Sequence, residues 1–225
     1  MDANAEYCRE LVAQNAKERY WASLYAPAEK RDALYALYAF DHEVSRIGSA
    51  VREPMAGEIR LQWWREVLEG KRGEEAAAHP VAAALLKAVA DHSLPVFRLL
   101  AAIDAHASDL YDEPMADFDE YGEAAKGGII ALAAQILGAS GDAVEHITRH
   151  AGLARLAADT ARETEARAHL DAAQALLPQV QQEALPALLP AAAIRASLAR
   201  ATPLPLWRRQ WLIWRAARNP ERIFA

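Results

Sequence analysis

The sequence of 225 residues has one cysteine and no long apolar run. Each of these features restricts the cellular compartment or the membrane topology that the protein can have. Cys8 cannot form an internal disulfide bond on its own, which favours the reducing cytoplasm. The first ten residues lack the basic and apolar regions of a signal peptide. The longest apolar stretches, such as residues 127–138, fall short of the ~20 residues that cross a bilayer. The sequence therefore predicts a cytoplasmic protein without a membrane-spanning helix.

β-Branched residues are also sparse, whereas Ala, Leu, Glu and Arg dominate every long segment. This composition favours helices over strands, and proline and glycine breaks separate up to ten predicted helices. Their expected spans are 4–22, 28–50, 55–69, 79–92, 95–111, 117–137, 141–168, 170–184, 187–200 and 204–218. No Gly/Ser-rich linker or internal repeat divides them. We therefore expect residues 1–225 to form a single all-α domain.

Several chemical signatures are missing as well. The sequence has no glycine-rich phosphate loop and no strand-turn-helix signal around a nucleophile, which argues against nucleoside triphosphatases and hydrolases. It has no basic strand face with interleaved aromatic residues, so we expect no nucleic-acid partner. The net charge of −6 is unevenly distributed, because residues 195–225 carry seven arginines and one acid. This segment is basic, and the rest of the chain is strongly acidic.

The basic segment 203–225 also carries a tryptophan stripe. Trp207, Trp211 and Trp214 stand at positions i, i+4 and i+7 of the predicted last helix, beside Arg208 and Arg209. A basic amphipathic helix edged with tryptophan can lie on the surface of an anionic bilayer. Tryptophan is equally a large core residue. The pattern thus predicts a closing helix that either completes the core or contacts a membrane or a partner.

Two groups of polar side chains are candidates for a site. In the predicted helix 28–50, Tyr38, Asp41 and Ser45 share one buried face, either as a small polar contact between helices or as the wall of a central pocket. Asp159 and Glu163 stand four residues apart, so on one helix they would share a face and could bind one divalent cation. The arginines nearby predict intrahelical ion pairs equally well.

Five segments, taken in order, resemble the squalene/phytoene synthase family. They are RYWASLYAP (19–27), ALYALYAFDHEVSRI (33–47), REPMAGEIRLQWWREVLEG (52–70), HPVAAALL (79–86) and IDAHASDLYDEPM (103–115). The third is the most specific, because amphipathic patterning alone does not produce its Glu-Pro turn, glycine and paired tryptophans. The resemblance implies an isoprenoid-synthase helical bundle with a central cavity, whose active members join two prenyl diphosphates head to head.

The family's chemistry implies two Asp-rich segments that hold Mg²⁺ and diphosphate across the cavity. Aligned on ALYAF, the first of these motifs falls on Ser45 to Ser49, where two aspartates are expected. The positions matching the second motif are Leu156, Asp159, Arg162, Glu163 and Arg167. Neutral hydroxyl groups supply none of the charge that a Mg²⁺ cluster needs. The resemblance therefore implies a member that has largely lost its metal-binding carboxylates.

Such a pattern is similar to a non-catalytic branch of the family, which includes mitochondrial proteins that assist assembly of respiratory complex I. Glu43 matches a glutamate of that branch. The favoured hypothesis is a protein that has lost prenyl transfer and acts as a membrane-associated assembly or lipid-handling factor, peripheral on the inner membrane. Its expected partners are a respiratory-complex subunit, a membrane surface, and a lipid or prenyl diphosphate.

Two alternatives remain open. In the first, the chain is an active Mg²⁺-dependent prenyltransferase that condenses farnesyl or geranylgeranyl diphosphate. Its metal ligands would be Asp159 and Glu163, and its substrate-binding residues would be Tyr38, Ser45, Ser49, Tyr121 and Arg162. In the second, the chain is a purely structural helical partner protein, which predicts a central cavity filled by its own side chains.

Overall fold

The computed structural model describes residues 2–111, 117–198, 200 and 202–225. Their α-helices are α1 (Ala3–Asn15), α2 (Lys17–Ser23), α3 (Ala28–Ser45), α4 (Ile47–Ala50), α5 (Pro54–Leu68), α6 (Gly73–Ala78), α7 (Pro80–His92), α8 (Val96–Ala107), α9 (Phe118–Gly122), α10 (Gly128–Leu137), α11 (Asp142–Asp159), α12 (Glu163–Leu176), α13 (Leu185–Leu188), α14 (Ile194–Ser197) and α15 (Leu206–Arg218). These ranges contain no strand, which confirms the predicted all-α class. Residues 112–115, the end of one family-like segment, lie outside the described residues.

Several predicted helices are divided in the structure. The predicted helix 4–22 is interrupted at Ala16, and the predicted helix 28–50 is interrupted at Arg46. Prolines 178, 186 and 190 interrupt the segments predicted as helices 170–184 and 187–200, which instead form 3₁₀ turns and short α-helices after α12. The predicted helical conformation is therefore confirmed for most of these segments, whereas several predicted helix boundaries are wrong.

The most consequential division falls between α11 and α12. Ala161 takes a left-handed conformation with φ of 58°, and the Arg162 amide donates to the Ala157 carbonyl at 2.7 Å. This turn satisfies carbonyls at the end of α11 and reverses the chain. Asp159 is thus the last residue of α11, and Glu163 is the first of α12. The premise that these two carboxylates share one helical face is wrong.

Helix α3 forms the centre of the larger hydrophobic core. Every residue from Leu34 to Asp41 is buried, so α3 is covered on all sides rather than along one stripe. Helices α1, α7 and α10 pack against it. A second buried cluster lies where α11, α12 and α15 meet the segment 188–194, and it includes Ile223 and Phe224.

Helix α10 is preceded by a π-helical turn, Glu123–Gly127, which packs against α11. The contact depends on two glycines, since a Cβ atom on Gly152 would lie 2.3 Å from the Gly127 amide nitrogen. A side chain at either position would push the two segments apart. Their close approach carries Lys126, within the π turn, to the cavity described below.

Helix α15 closes the second cluster with Ile213 and Ala216, and its third buried residue, Leu212, packs with Ala193 and Leu204. Across the described ranges, no helix combines the length and apolar character that a membrane crossing requires.

Candidate functional site

A central cavity of about 290 Å³ lies between α3, the π turn, α11 and the segment 187–194. A void of this size holds far more than a few waters, so it contradicts the prediction of a cavity filled by its own side chains. The charged side chains that line it are Glu18, Arg19, Asp41, Lys126, Arg155 and Asp159. One part of the cavity wall is therefore polar and carries both positively and negatively charged side chains.

The strongest polar contact at this wall joins α2 to α3. The Arg19 guanidinium forms an ion pair with the Asp41 carboxylate and lies 4.9 Å from the centre of the Tyr38 ring. Burial alone would raise the pKa of Asp41, but the positive charge of Arg19 holds it below its usual value. Burial also raises the pKa of the Tyr38 hydroxyl to about 12. Asp41 is thus ionised, and its charge is balanced within the protein.

The structure brings together three of the predicted site residues. Tyr38, Ser45 and Asp159 line the central cavity. The Ser45 hydroxyl donates to the His42 carbonyl at 3.2 Å, within its own helix. Asp159 accepts a hydrogen bond from Arg155 Nε at 3.0 Å, four residues earlier in α11. Both proposals for the polar face of α3 are therefore correct, because Asp41 makes an interhelical contact and also forms part of a pocket wall.

The other predicted site residues do not line this cavity. The Ser49 hydroxyl is exposed and donates to the Arg46 carbonyl at 3.1 Å. Glu163 forms an ion pair with Arg167 at 2.7 Å. Arg162 pairs with a neighbouring glutamate and lies 4.4 Å from the centre of the Phe118 ring. Each of these polar groups already has a partner nearby.

Tyr121 belongs to a separate hydrogen-bonded cluster between α8 and α9. Its hydroxyl donates to the Asp109 carboxylate at 3.0 Å, and His106 Nδ1 lies 2.6 Å from the same carboxylate. The pKa of the Tyr121 hydroxyl is raised mainly by partial burial and, to a smaller extent, by the negative charge of Asp109. Tyr121 therefore acts here as a partly buried donor that connects α9 to the end of α8.

The donor set of the central cavity does not fit a cluster of Mg²⁺ ions. Mg²⁺ binds carboxylate oxygens that are free to coordinate it, and a diphosphate cluster needs several of them. The cavity carboxylates of Glu18, Asp41 and Asp159 each pair with an arginine instead. Among the described residues, no group of three or more His, Cys, Asp or Glu side chains is arranged to hold a metal ion. The pair Asp159 and Glu163 stays a prediction.

The cavity also contains cations that the sequence analysis missed. Arg19 comes from the family-like segment 19–27, and Lys126 comes from the π turn. Neither belongs to a periodic pattern, so no local signal marked them as cavity residues. The Lys126 ammonium forms no ion pair with the described residues, whereas Arg19 and Arg155 each have a carboxylate partner.

A second feature is the tryptophan surface, which consists of Trp207, Trp211 and Trp214 on α15. Their exposed fractions are 69%, 45% and 43%, so the proposal that this stripe completes the core is wrong. The guanidinium of Arg215 lies 4.8 Å from the Trp211 ring centre, and that of Arg218 lies 4.5 Å from the Trp214 ring centre. These contacts leave large aromatic faces in solvent with cations beside them.

The tryptophan surface continues onto α2. Trp21, Leu24 and Tyr25 line a shallow groove of about 300 Å³ together with the three tryptophans. Leu24 and Tyr25 are each 44% exposed. Arg209 lies on the inner side of α15 and pairs with Glu18, so it joins α15 to α2 rather than facing outward. The two helices thus form one continuous apolar and basic face.

Comparison of the sequence with known proteins agrees with the family resemblance of its five segments. The sequence model of the squalene/phytoene synthase family matches residues 12–164. NADH dehydrogenase (ubiquinone) complex I, assembly factor 6 of Bos taurus is 32% identical over 152 residues, covering 66% of this chain and 46% of the relative. The Homo sapiens protein of the same name is 31% identical over the same length and coverage. The chain spans about half the length of these curated relatives.

Comparison of the structure with solved structures agrees. A dehydrosqualene synthase superposes with a TM-score of 0.74 at 13% identity, covering 97% of this chain and 96% of that chain. The squalene synthase HpnC from Alicyclobacillus acidocaldarius superposes with a TM-score of 0.66 at 18% identity, covering 96% and 93%. At these identities the likeness establishes the fold, which is the predicted isoprenoid-synthase bundle. With two thirds of its length matched by the family model, the chain belongs to the squalene/phytoene synthase family.

Proposed function

We propose that this chain is a non-catalytic family member that assists assembly of a respiratory NADH dehydrogenase from the surface of a membrane. The observation that carries the proposal is the state of the cavity carboxylates. Serines stand at the two positions of the first Asp-rich motif, and Asp159 is paired with Arg155. A diphosphate leaving group needs Mg²⁺ to neutralise its charge. A cavity without free carboxylates has no ligands for that Mg²⁺, so it cannot promote the ionisation of a prenyl diphosphate.

The relatives support the assembly role. They are named for assembly of NADH dehydrogenase (ubiquinone) complex I, and they match this chain through the family region. Prenyl transfer is the alternative function, and its support is the match to the squalene/phytoene synthase family and the fold likeness to squalene and dehydrosqualene synthases. A fold by itself does not establish an activity. The residues of this chain therefore favour the assembly role.

The tryptophan surface supports the membrane contact. Tryptophan side chains prefer the interfacial region of a bilayer, and neighbouring arginines attract anionic headgroups. Arg208 and Arg218 are exposed on α15 beside Trp207 and Trp214. The body of the protein is acidic, so this basic face orients the molecule toward an anionic surface with the acidic regions away from it.

The central cavity supports a lipid or prenyl diphosphate as ligand without catalysis. Lys126 offers a positive charge near Asp41 that forms no ion pair with the described residues, and Ile130, Leu188 and Ile194 provide apolar wall. An anionic headgroup at Lys126 with an apolar chain along these residues fits that distribution of polarity. Binding of this kind requires no metal, which agrees with the proposed loss of Mg²⁺.

The first experiment measures diphosphate release from farnesyl and geranylgeranyl diphosphate in the presence of Mg²⁺. We expect no release above that of a Glu163→Gln variant or of a sample with EDTA. Metal-dependent release that the Glu163→Gln substitution abolishes would establish the prenyltransferase alternative and overturn the proposal.

The second experiment measures co-sedimentation with vesicles of phosphatidylglycerol and phosphatidylcholine. We expect binding that falls at least ten-fold in a Trp207→Ser/Trp211→Ser variant and in vesicles of phosphatidylcholine alone. Phe97→Ser is the matched control, because Phe97 is 66% exposed but lies on α8. Equal loss of binding in the Phe97→Ser protein, or no binding by the wild-type protein, would contradict the membrane contact.

The assembly role is tested by deleting the gene in its source organism and measuring the amount of fully assembled NADH dehydrogenase on native gels. We expect a loss that the wild-type chain restores and that the Trp207→Ser/Trp211→Ser variant restores poorly. A normal amount of enzyme after deletion would overturn the assembly role.

A further inference from the structure

A second cavity, an open groove of about 520 Å³, lies on another face of α3, away from the central cavity. It is bounded by α1, the C-terminal end of α3, α4, α5 and the start of α7. Its volume falls within the range of small-molecule sites in proteins. Apart from Glu43, which matches a glutamate of the non-catalytic branch, its residues have no part in the proposed function.

One wall of this second cavity is aromatic and held in place. The ring centres of Trp63 and Trp64 lie 5.0 Å apart at an interplanar angle of 78°, and the His79 ring lies 5.1 Å from that of Trp63. Trp63 Nε1 donates to the Glu75 carboxylate at 2.9 Å, which fixes the orientation of the indole. Trp64 is only 4% exposed. The wall is therefore preformed, and binding would not have to order it.

Two histidines that line this cavity each have a ring nitrogen without a hydrogen-bond partner among the described residues. His79 Nδ1 accepts from the Ala82 amide at 3.3 Å, so the neutral ring carries its proton on Nε2. That nitrogen lies 3.6 Å from the Glu43 carboxylate, which is too long for a hydrogen bond. His42 Nε2 is buried and has no hydrogen-bond partner among the described residues. A polar group bound in the cavity would pair with His79 Nε2, whereas His42 Nε2 is closed off from the cavity by its neighbours.

The charge of the second cavity is positive. Arg46 and Arg60 both line it, and neither forms an ion pair within the ranges that the structure describes. Its one lining carboxyl group is Glu43, and burial raises the pKa of Glu43 to about 7. Burial lowers the pKa of both histidines, so they are mostly neutral. The cavity lining therefore contains two guanidinium groups and one partly ionised carboxyl group.

We propose that this second cavity binds a planar aromatic anion, with its ring against Trp63 and its carboxylate or phosphate group held by Arg46 and Arg60. The aromatic ring contributes stacking and burial against the half-buried Trp63 indole, which the buried Trp64 supports from behind. An anionic group matches the forked donors of arginine. This site shares no residue with the tryptophan surface or the central cavity. Its ligand binding can therefore be tested separately from the proposed function.

The test uses 2-naphthoate as the probe and protein labelled with ¹⁵N-tryptophan. The six tryptophans give six indole signals, which single Trp→Phe variants assign. We expect saturable shifts of the Trp63 and Trp64 signals. The signals of tryptophans 21, 207, 211 and 214, which belong to the tryptophan surface and its groove, are expected to stay in place. Shifts confined to those four signals, or no saturable shift at millimolar probe, would overturn the proposal.

Charge-removing variants test the role of the arginines. Arg46→Gln and Arg60→Gln are expected to weaken naphthoate binding at least ten-fold each, and neutral 2-naphthalenemethanol is expected to bind at least ten-fold more weakly than naphthoate. Arg52→Gln is the matched control, since Arg52 is exposed, lies between the two in sequence and does not line the cavity. Equal weakening by Arg52→Gln would mean that general charge attracts the probe, and the proposal would fail.

Discussion

Replacement of Glu43 by Gln is expected to stabilise the protein at pH 8.5 and to change its stability little at pH 5. Burial raises the pKa of Glu43 from 4.5 to about 7 in the folded protein. The folded state therefore binds a proton at Glu43 more tightly than the unfolded state, so the contribution of Glu43 to stability is greatest at low pH. This contribution decreases as the pH rises from 4.5, the pKa of Glu43 in the unfolded protein, through about 7, its pKa in the folded protein. Glutamine carries no charge, so the variant avoids this loss.

The size of the effect follows from the two pKa values. A difference of one pH unit corresponds to about 1.36 kcal/mol, so full ionisation of Glu43 costs roughly 3 kcal/mol. The Glu43 side chain is 25% exposed, and water reduces this cost, which leaves an expected gain of about 1–3 kcal/mol at pH 8.5. Urea unfolding followed by circular dichroism at pH 5 and pH 8.5 measures the gain as a difference between the two proteins.

A Glu10→Gln variant is the control for this measurement. Glu10 is an exposed residue of α1, so its replacement removes the same charge without affecting a cavity. We expect its stability to follow that of the wild-type protein at both pH values. A Glu43→Gln protein that is no more stable than wild type at pH 8.5 would refute the reasoning, because it would mean that the ionised carboxylate is compensated in the folded state.

Two further substitutions test the packing around the central cavity. Asp41→Ala leaves the Arg19 guanidinium without its carboxylate partner, and urea unfolding should show a loss of about 3–5 kcal/mol; an unchanged midpoint would contradict the ion pair. Gly152→Ala places a Cβ atom 2.3 Å from the Gly127 nitrogen, so we expect a loss of about 1–3 kcal/mol. Gly73→Ala, with nothing within 4 Å, is its control, and equal losses in both variants would contradict the close packing.

The sequence predicts the fold class and the polar face of α3 because both depend on periodicity. Tyr38, Asp41 and Ser45 recur at helical spacing, and the structure places all three at the wall of the central cavity. The same argument fails between Asp159 and Glu163. No proline or glycine marks the break there, and Ala161 adopts its left-handed conformation because the chain reverses to pack α12 against α11. Tertiary packing, rather than local preference, determines that boundary.

Ion-pair partners were the other feature that periodicity could not predict. Arg19 meets Asp41 across 22 positions, and Arg209 meets Glu18 across 191 positions. Within a helix, arginine and an acid at i and i+4 are recognisable from spacing, and the predicted intrahelical alternative for Arg155 and Asp159 is correct. Between helices, only the packed structure determines which charges meet.

These pairings connect the loss of the aspartates to the chemistry of the cavity. A Mg²⁺-binding cavity needs surplus negative charge before the metal arrives, since each carboxylate that is already paired must first lose its partner. Here Arg19 pairs with Asp41, Arg155 pairs with Asp159, and Glu18 pairs with Arg209, which lies outside the cavity lining. The three cations and three carboxylates of the lining therefore leave none of the surplus negative charge that the family's metal chemistry requires. An anion can pair with Lys126 without a metal ion, and this is why we expect ligand binding at the central cavity to be unaffected by EDTA.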